Sequence, residues 1–141
     1  MEVALNTLGL ARATDVQRRC WPCCLRGDDL VGVAPTGSGK TLCYLLPLAE
    51  LLHQWPAAAV GAPLALILVP TRELAQQVRQ VCATFLDRNG SSRVEAFHGG
   101  EPRSAQLSAL LRPPTVSVIV GTPGRLLDLS KIGRASCRER V

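Results

Sequence analysis

Eight residues, Ala34-Pro35-Thr36-Gly37-Ser38-Gly39-Lys40-Thr41, combine what the binding of a phosphate chain requires. Small side chains let a backbone wrap an anion so that successive N–H groups point at its oxygens, and a helix opening at the loop's end adds the positive end of its dipole. At these positions the Lys40 ammonium reaches the β- and γ-phosphates of a nucleoside triphosphate, and the Thr41 hydroxyl is a ligand for Mg²⁺. The strict pattern opens on glycine where this chain has Ala34, and a chance glycine–serine turn is the plain alternative. The flanking sequence decides between them. Residues 28–34, "DDLVGVA", read as a short buried strand, and 41–53, "TLCYLLPLAELLH", as a helix that is apolar nearly all round, buried, and kinked at Pro47.

Three further segments carry groups suited to a polyanion. Pro70-Thr71-Arg72-Glu73-Leu74-Ala75 follows the apolar run "LALILV" (64–69), His98-Gly99-Gly100 follows "RVEAF" (93–97), and Thr122-Pro123-Gly124-Arg125 follows "VSVIV" (116–120). Each thus lies at the carboxyl end of an expected strand, the side on which open α/β sheets bind ligands. Glycines admit a closely approaching backbone, threonine hydroxyls and exposed N–H groups donate to phosphates, and arginine supplies charge. Together they read as a track for a single-stranded nucleic-acid backbone. Taken one at a time, Pro-Thr and Thr-Pro-Gly are ordinary turns, Thr71 with Glu73 is a helix start, and His98 is a structural or solvated histidine.

The elements that must position these groups alternate. "LALILV" has the continuous apolar character of a parallel strand covered on both faces. Residues 73–86 have helical spacing, with Leu74, Val78, Val81, Phe85 and Leu86 on one side, and 106–111 form a short helix stopped by Pro113-Pro114. Residues 55–63, "WPAAAVGAP", are a loop. Strand and helix alternating at this pitch predict an α/β fold with a doubly wound, mostly parallel sheet.

Composition narrows the class without naming it. The 141 residues carry a formal net charge of +5, but the last eleven hold Lys131, Arg134, Arg138 and Arg140 against Glu139. Without them twelve basic and ten acidic residues remain, so overall charge says little about a nucleic-acid partner. Six cysteines show no paired spacing of a secreted scaffold and read as reduced thiols. Cys20-Trp21-Pro22-Cys23 has C-x-x-C spacing, yet no expected strand precedes it and no second pair follows to complete a metal site. No stretch of eighteen residues is apolar and uncharged, and no basic-then-apolar leader opens the chain. The sequence therefore reads as intracellular and soluble, with nucleus, nucleolus and cytoplasm equally open.

The ordered set of motifs resembles the DEAD-box family of ATP-dependent RNA helicases over residues 1 to about 130. Ala34 to Thr41 look like the family's ATP-binding loop, with Ala34, Pro35, Thr36, Gly37, Ser38, Gly39, Lys40 and Thr41 as ATP contacts. Pro70, Thr71, Arg72 and Glu73, then Gly99 and Gly100, then Thr122, Pro123, Gly124 and Arg125 look like its RNA contacts. Residues 9–17, "GLARATDVQ", resemble its adenine-reading motif, which gives Gln17 the base edge; the family has an aromatic where Leu10 stands and Pro where Asp15 stands. The resemblance implies a RecA-like P-loop NTPase fold, ATP and Mg as cofactors, and RNA as partner. The implied mechanism is ATP-driven closure of two such domains on RNA, which bends one strand until its complement leaves.

The family's Asp-Glu-Ala-Asp strand end, its Ser-Ala-Thr motif and its second domain do not occur in this sequence, so the chain by itself is expected to be an inactive portion of an enzyme. The composition also changes at Ser130-Lys131. Ile132 to Val141, "IGRASCRERV", back-translates into a common short-read sequencing adapter, so 131–141 is expected to be an assembly scar. A real basic tail touching RNA phosphates is the alternative. Rival readings of the whole are a non-catalytic ATP- and RNA-binding scaffold truncated by nature, and another P-loop helicase acting on DNA.

Overall fold

Capping fixes where the first helix begins. Thr14 stands in extended conformation, its hydroxyl accepts from the Gln17 backbone N–H, and the Gln17 side chain returns to the Thr14 N–H, a capping box that starts α1 (Asp15–Arg26). Gly27, with φ +81°, ends the helix in the left-handed conformation. The computed structural model describes residues 12–54, 62–86 and 93–138, with side chains described as far as Lys131. Gly9, Leu10 and Ala11 of the expected adenine motif, 55–61 of the expected loop and 139–141 of the expected scar lie outside the described residues. The chain divides between Pro56 and Ala57 into two units.

The first unit pairs α1 with α2 (Lys40–Gln54). Trp21 and Cys20 of α1 are buried, as are Cys43, Leu45, Leu46 and Leu52 of α2, and the Trp21 indole N–H donates to the Leu42 carbonyl at 3.0 Å. A buried indole satisfied in this way contributes its full apolar area without an orphaned donor. The helix α2 is assigned without a break through Pro47, but it is not buried all round: Tyr44 and Leu51 reach solvent. The C-x-x-C segment lies inside α1, with Cys20 buried and Cys23 half-buried.

The strand expected at 28–34 is absent. These residues pair with none of the described strands, and Val31 and Val33 are 91% and 93% exposed. A short apolar run becomes a strand only when a neighbour takes up its N–H and C=O groups, and no described segment does so.

The second unit holds three parallel strands, β1 (Ala65–Leu68), β2 (Arg93–Phe97) and β3 (Val116–Gly121), in the order β1-β3-β2. All-parallel pairing requires crossover connections, and helices α3 (Arg72–Leu86) and α4 (Arg103–Leu111) supply them. The α3 face that packs on β2 and β3 presents Ala75, Val78, Cys82 and Phe85, spaced three and four apart as helical packing demands. Val116, Val118 and Val120 of the central strand are fully buried. The edge strand β1 departs from expectation: Leu66 and Leu68 are more than half exposed, so one of its faces is open rather than covered. The helix expected at 106–111 begins three residues earlier, because Pro102 at its N-cap sets a compatible φ and Arg103-Ser104-Ala105 continue the turn. The last helix, α5 (Pro123–Arg138), runs on through Ser130.

Candidate functional site

In the first unit the glycine loop leads into α2 as the sequence predicts. Gly37 and Gly39 have φ of +77° and +85°, values that side chains resist. At Gly39 the constraint is also steric: a Cβ there would stand 2.4 Å from Gln17 Nε2. That contact exists because Gln17, 2% exposed, donates from Nε2 to the Gly39 carbonyl at 3.2 Å while its Oε1 accepts from the Thr14 N–H at 2.9 Å. The Thr14 hydroxyl donates to the Ser38 carbonyl at 2.9 Å. Thus α1's first turn holds the loop at two successive carbonyls, and Gln17 is first of all a buried clamp.

The Lys40 ammonium donates to the carbonyls of Ala34 and, at 2.6 Å, of Pro35. Thr14, Asp15, Val33, Ala34, Pro35 and Ser38 line a cavity of about 440 Å³ on one side of the loop. On another side Cys20, Cys24, Cys43 and Lys40 border one of about 520 Å³. Burial pushes the Cys43 thiol up to about 11, with Cys20 beside it adding to the shift, so it sits protonated as a small hydrophobe. Among the described residues no three His, Cys, Asp or Glu side chains converge on a metal position.

In the second unit the register brings the other three segments to one level. Leu68 and Phe97 both pair with Gly121, the Val69 N–H donates to the Gly121 carbonyl at 3.0 Å, and the Thr122 N–H donates to the Phe97 carbonyl at 3.0 Å. Pro70, His98 and Thr122 therefore leave the sheet together at its carboxyl edge. Thr71 caps α3, its hydroxyl accepting from the Leu74 N–H at 3.2 Å, so the helix-start reading of that residue holds as well. Arg72 and Glu73 are exposed and paired at 2.5 Å, and the guanidinium holds the Glu73 carboxyl below its ordinary range. The Arg72 side chain also lies over the glycine turn, since a Cβ on Gly100 would meet its Nη1 at 3.5 Å.

His98 is buried and takes a structural part. Its Nδ1 lies 2.9 Å from the Gly99 carbonyl oxygen and its Nε2 lies 3.3 Å from the Gln76 amide nitrogen, so both ring nitrogens face protein groups. Gln106, on α4, was not singled out by sequence reasoning and is 3% exposed. Its Nε2 donates to the His98 carbonyl and to Glu101 Oε2, both at 3.1 Å, and its Oε1 accepts from Arg125 Nη1 at 2.9 Å. Arg125 Nη1 also donates to the Glu101 carbonyl at 2.9 Å. A glutamine amid Leu107, Leu110 and Leu111 was the available signal. Gly121 admits the start of α5, because a Cβ there would stand 2.8 Å from the Leu126 side chain.

Comparison with known proteins agrees with this arrangement. Residues 14–140 match the family model of DEAD/DEAH box helicases. The chain is similar to the ATP-dependent RNA helicase DBP2 of Debaryomyces hansenii, 41% identical over 133 residues, covering 92% of this chain and 24% of that protein. It is also similar to DEAD-box ATP-dependent RNA helicase 20 of Oryza sativa subsp. japonica, 42% identical over 128 residues, covering 89% of this chain and 25% of that protein. The crystal structure of a hypothetical ATP-dependent RNA helicase from Sulfolobus tokodaii superposes with a TM-score of 0.76 at 36% identity, covering 94% of this chain and 36% of that one.

Proposed function

This chain belongs to the DEAD/DEAH box helicase family, and on that premise we propose that it supplies the phosphate loop and part of the RNA track of an ATP-dependent RNA helicase. It spans 24% and 25% of the length of the two curated relatives named above, so the activity proposed is that of the whole protein. The observation that carries the RNA part is the register that sets Pro70 to Glu73, Gly99-Gly100 and Thr122 to Arg125 level at one edge of a parallel sheet. Three segments distant in sequence there present arginines, small residues and a helix start side by side, the groups that follow a single-stranded backbone.

The loop fits a nucleoside triphosphate. Gly37 and Gly39 curve it so that its N–H groups can converge, and the N-terminus of α2 adds positive potential. Lys40 exchanges its carbonyl partners for phosphate oxygens and offsets the charge that builds on the transferring group. Mg²⁺, with the Thr41 hydroxyl as its protein ligand, would neutralise the phosphates. Gln17 retains an amide hydrogen beyond the one given to Gly39, which is the group offered to an adenine edge.

Lys40→Ala in the full-length protein tests the reading. We expect nucleotide binding to weaken and RNA-stimulated ATPase and duplex unwinding to fall to background, while RNA binding without nucleotide persists. Steady-state ATPase equal to the parent would remove the loop from the mechanism. Stimulation by single-stranded DNA equal to that by RNA would move the protein to the DNA-acting class.

A further inference from the structure

We propose that Gln106 is a positioning residue that couples the glycine turn after β2 to the arginine after β3, so that the two segments meet RNA as one preset unit. This rests on the RNA reading given above. Neither segment is fixed on its own. Gly99 and Gly100 have no side chains to fix them, and Gly100 sits at φ +98°, in a region where the backbone is held by its surroundings rather than by its own preference. Arg125 stands in the first turn of α5, at the end of a long, rotatable side chain that loses entropy wherever it is held.

One buried amide addresses both. From α4, Gln106 reaches the carbonyl just before the glycines, the carboxylate just after them, and the Arg125 guanidinium, with distances of 3.1, 3.1 and 2.9 Å. A single amide presents two donor hydrogens and an acceptor oxygen, so these three contacts use its donors completely and place its oxygen on the only cation of the set. Arg125 Nη1 closes the ring by donating to the Glu101 carbonyl. Gln106 is 3% exposed and its bond to the His98 carbonyl is buried, so that carbonyl keeps its desolvation cost when left alone, while the bonds to Glu101 and Arg125 are partly buried. The expected consequence is on binding: an ordered turn and a prealigned guanidinium spare RNA the cost of ordering them. Gln106 is on α4 and faces the network, so it acts through Arg125 and the turn.

The test uses the full-length protein with Gln106→Leu, Gln106→Glu and Arg125→Ala, reading RNA affinity by fluorescence anisotropy and the KM for RNA, the KM for ATP and kcat in RNA-stimulated ATPase. Gln106→Leu is expected to raise the KM for RNA about tenfold with kcat at saturating RNA and the KM for ATP unchanged, as lost preorganisation requires. Gln106→Glu keeps the acceptor for Arg125 but turns oxygens toward the His98 carbonyl and Glu101, so it weakens RNA binding too. Adding Glu101→Gln should recover part of that loss by returning a donor to the pair. Val118→Ala, at a fully buried position of β3, is the control for destabilisation alone. If it moves the KM for RNA as much as Gln106→Leu at an equal drop in Tm, Gln106 is merely structural and the proposal falls. An unchanged KM for RNA in folded Gln106→Leu overturns the coupling, while loss of affinity in Arg125→Ala alone would leave the RNA reading standing. If Arg125→Ala also has no effect, the RNA reading of this edge falls with it. Should Gln106→Leu fail to fold, Gln106→Glu with its Glu101→Gln rescue decides.

Discussion

At the scale of single residues, the glycine loop before α2 is held at a backbone carbonyl by a glutamine. Gly39 carries two constraints at once, a φ of +85° and a neighbour that leaves no room for a methyl group. Gly39→Ala therefore forces the loop out of shape or pushes Gln17 away from Thr14 and the loop, undoing the capping box. Holding a non-glycine residue in that region costs about 1–3 kcal/mol. We expect nucleotide affinity to drop about tenfold or more, since 1.4 kcal/mol is a factor of ten. The pairing of Gly39→Ala with Gln17→Ala separates the causes: relief of the clash restores part of the affinity, and backbone strain keeps the rest. Titration with a fluorescent ATP analogue reads both. Affinity equal to the parent in Gly39→Ala would show that the loop does not need this curvature. His98 marks the opposite case, a histidine at the carboxyl edge of the sheet whose ring nitrogens are both turned to the protein.

At the scale of elements, the sheet carries the stability and its edge carries the risk. Phe97 ends β2 at 1% exposure, and its removal leaves a cavity under the level where the three segments emerge. Phe97→Ala should cost about 3–5 kcal/mol, the usual range for a buried phenylalanine. Urea unfolding of the full-length protein monitored by amide exchange in β2 and β3 gives the value, and a loss under 1 kcal/mol would mean the site collapses freely. The elements of this unit were legible because their periodicities are strong: β2, β3 and α3 stand where the apolar runs and the 3–4 spacing put them. What was not legible has a physical cause in each instance. β1 reads as a strand covered on both faces because LALILV is apolar throughout, yet cover depends on neighbours, and Leu66 and Leu68 stay more than half exposed among the described residues. The run 28–34 has strand composition but no pairing partner among the described residues. From the sequence, Cys-Trp-Pro-Cys is weighed only for its C-x-x-C spacing and no helix is assigned there; the Thr14–Gln17 capping box, four residues long, is the signal that marks α1. Among site residues, the glycine loop and the three strand-end segments were readable because motif and position coincide. Gln106 was not, because its role exists only once β2, α4 and α5 are brought together.

At the scale of the whole molecule, the chemistry is unfinished by the residues described. On the proposed reading Lys40 and Thr41 hold phosphate and a metal, and hydrolysis also requires a group that orients water at the γ-phosphate. The relatives are about four times longer by the coverage they show, which leaves ample chain to carry such a group. The prediction is therefore about the transcript. Sequenced across the Ser130 codon, it should depart from the present sequence at or near that point, replacing IGRASCRERV. It should then complete the helix begun at Gly124-Arg125-Leu126-Leu127. Within a few dozen codons it should encode an apolar strand ending in Asp-Glu-Ala-Asp or a close variant. That strand would give 28–34 a backbone partner and would place carboxylates beside the loop proposed to hold Mg²⁺. If the tail and a stop codon are found in the genome instead, the adapter reading fails and a non-catalytic ATP- and RNA-binding scaffold becomes the better account. If the tail vanishes and no acidic strand end follows, the locus encodes a helicase that has lost its motor, and Lys40→Ala would then change nucleotide binding while leaving no turnover to abolish.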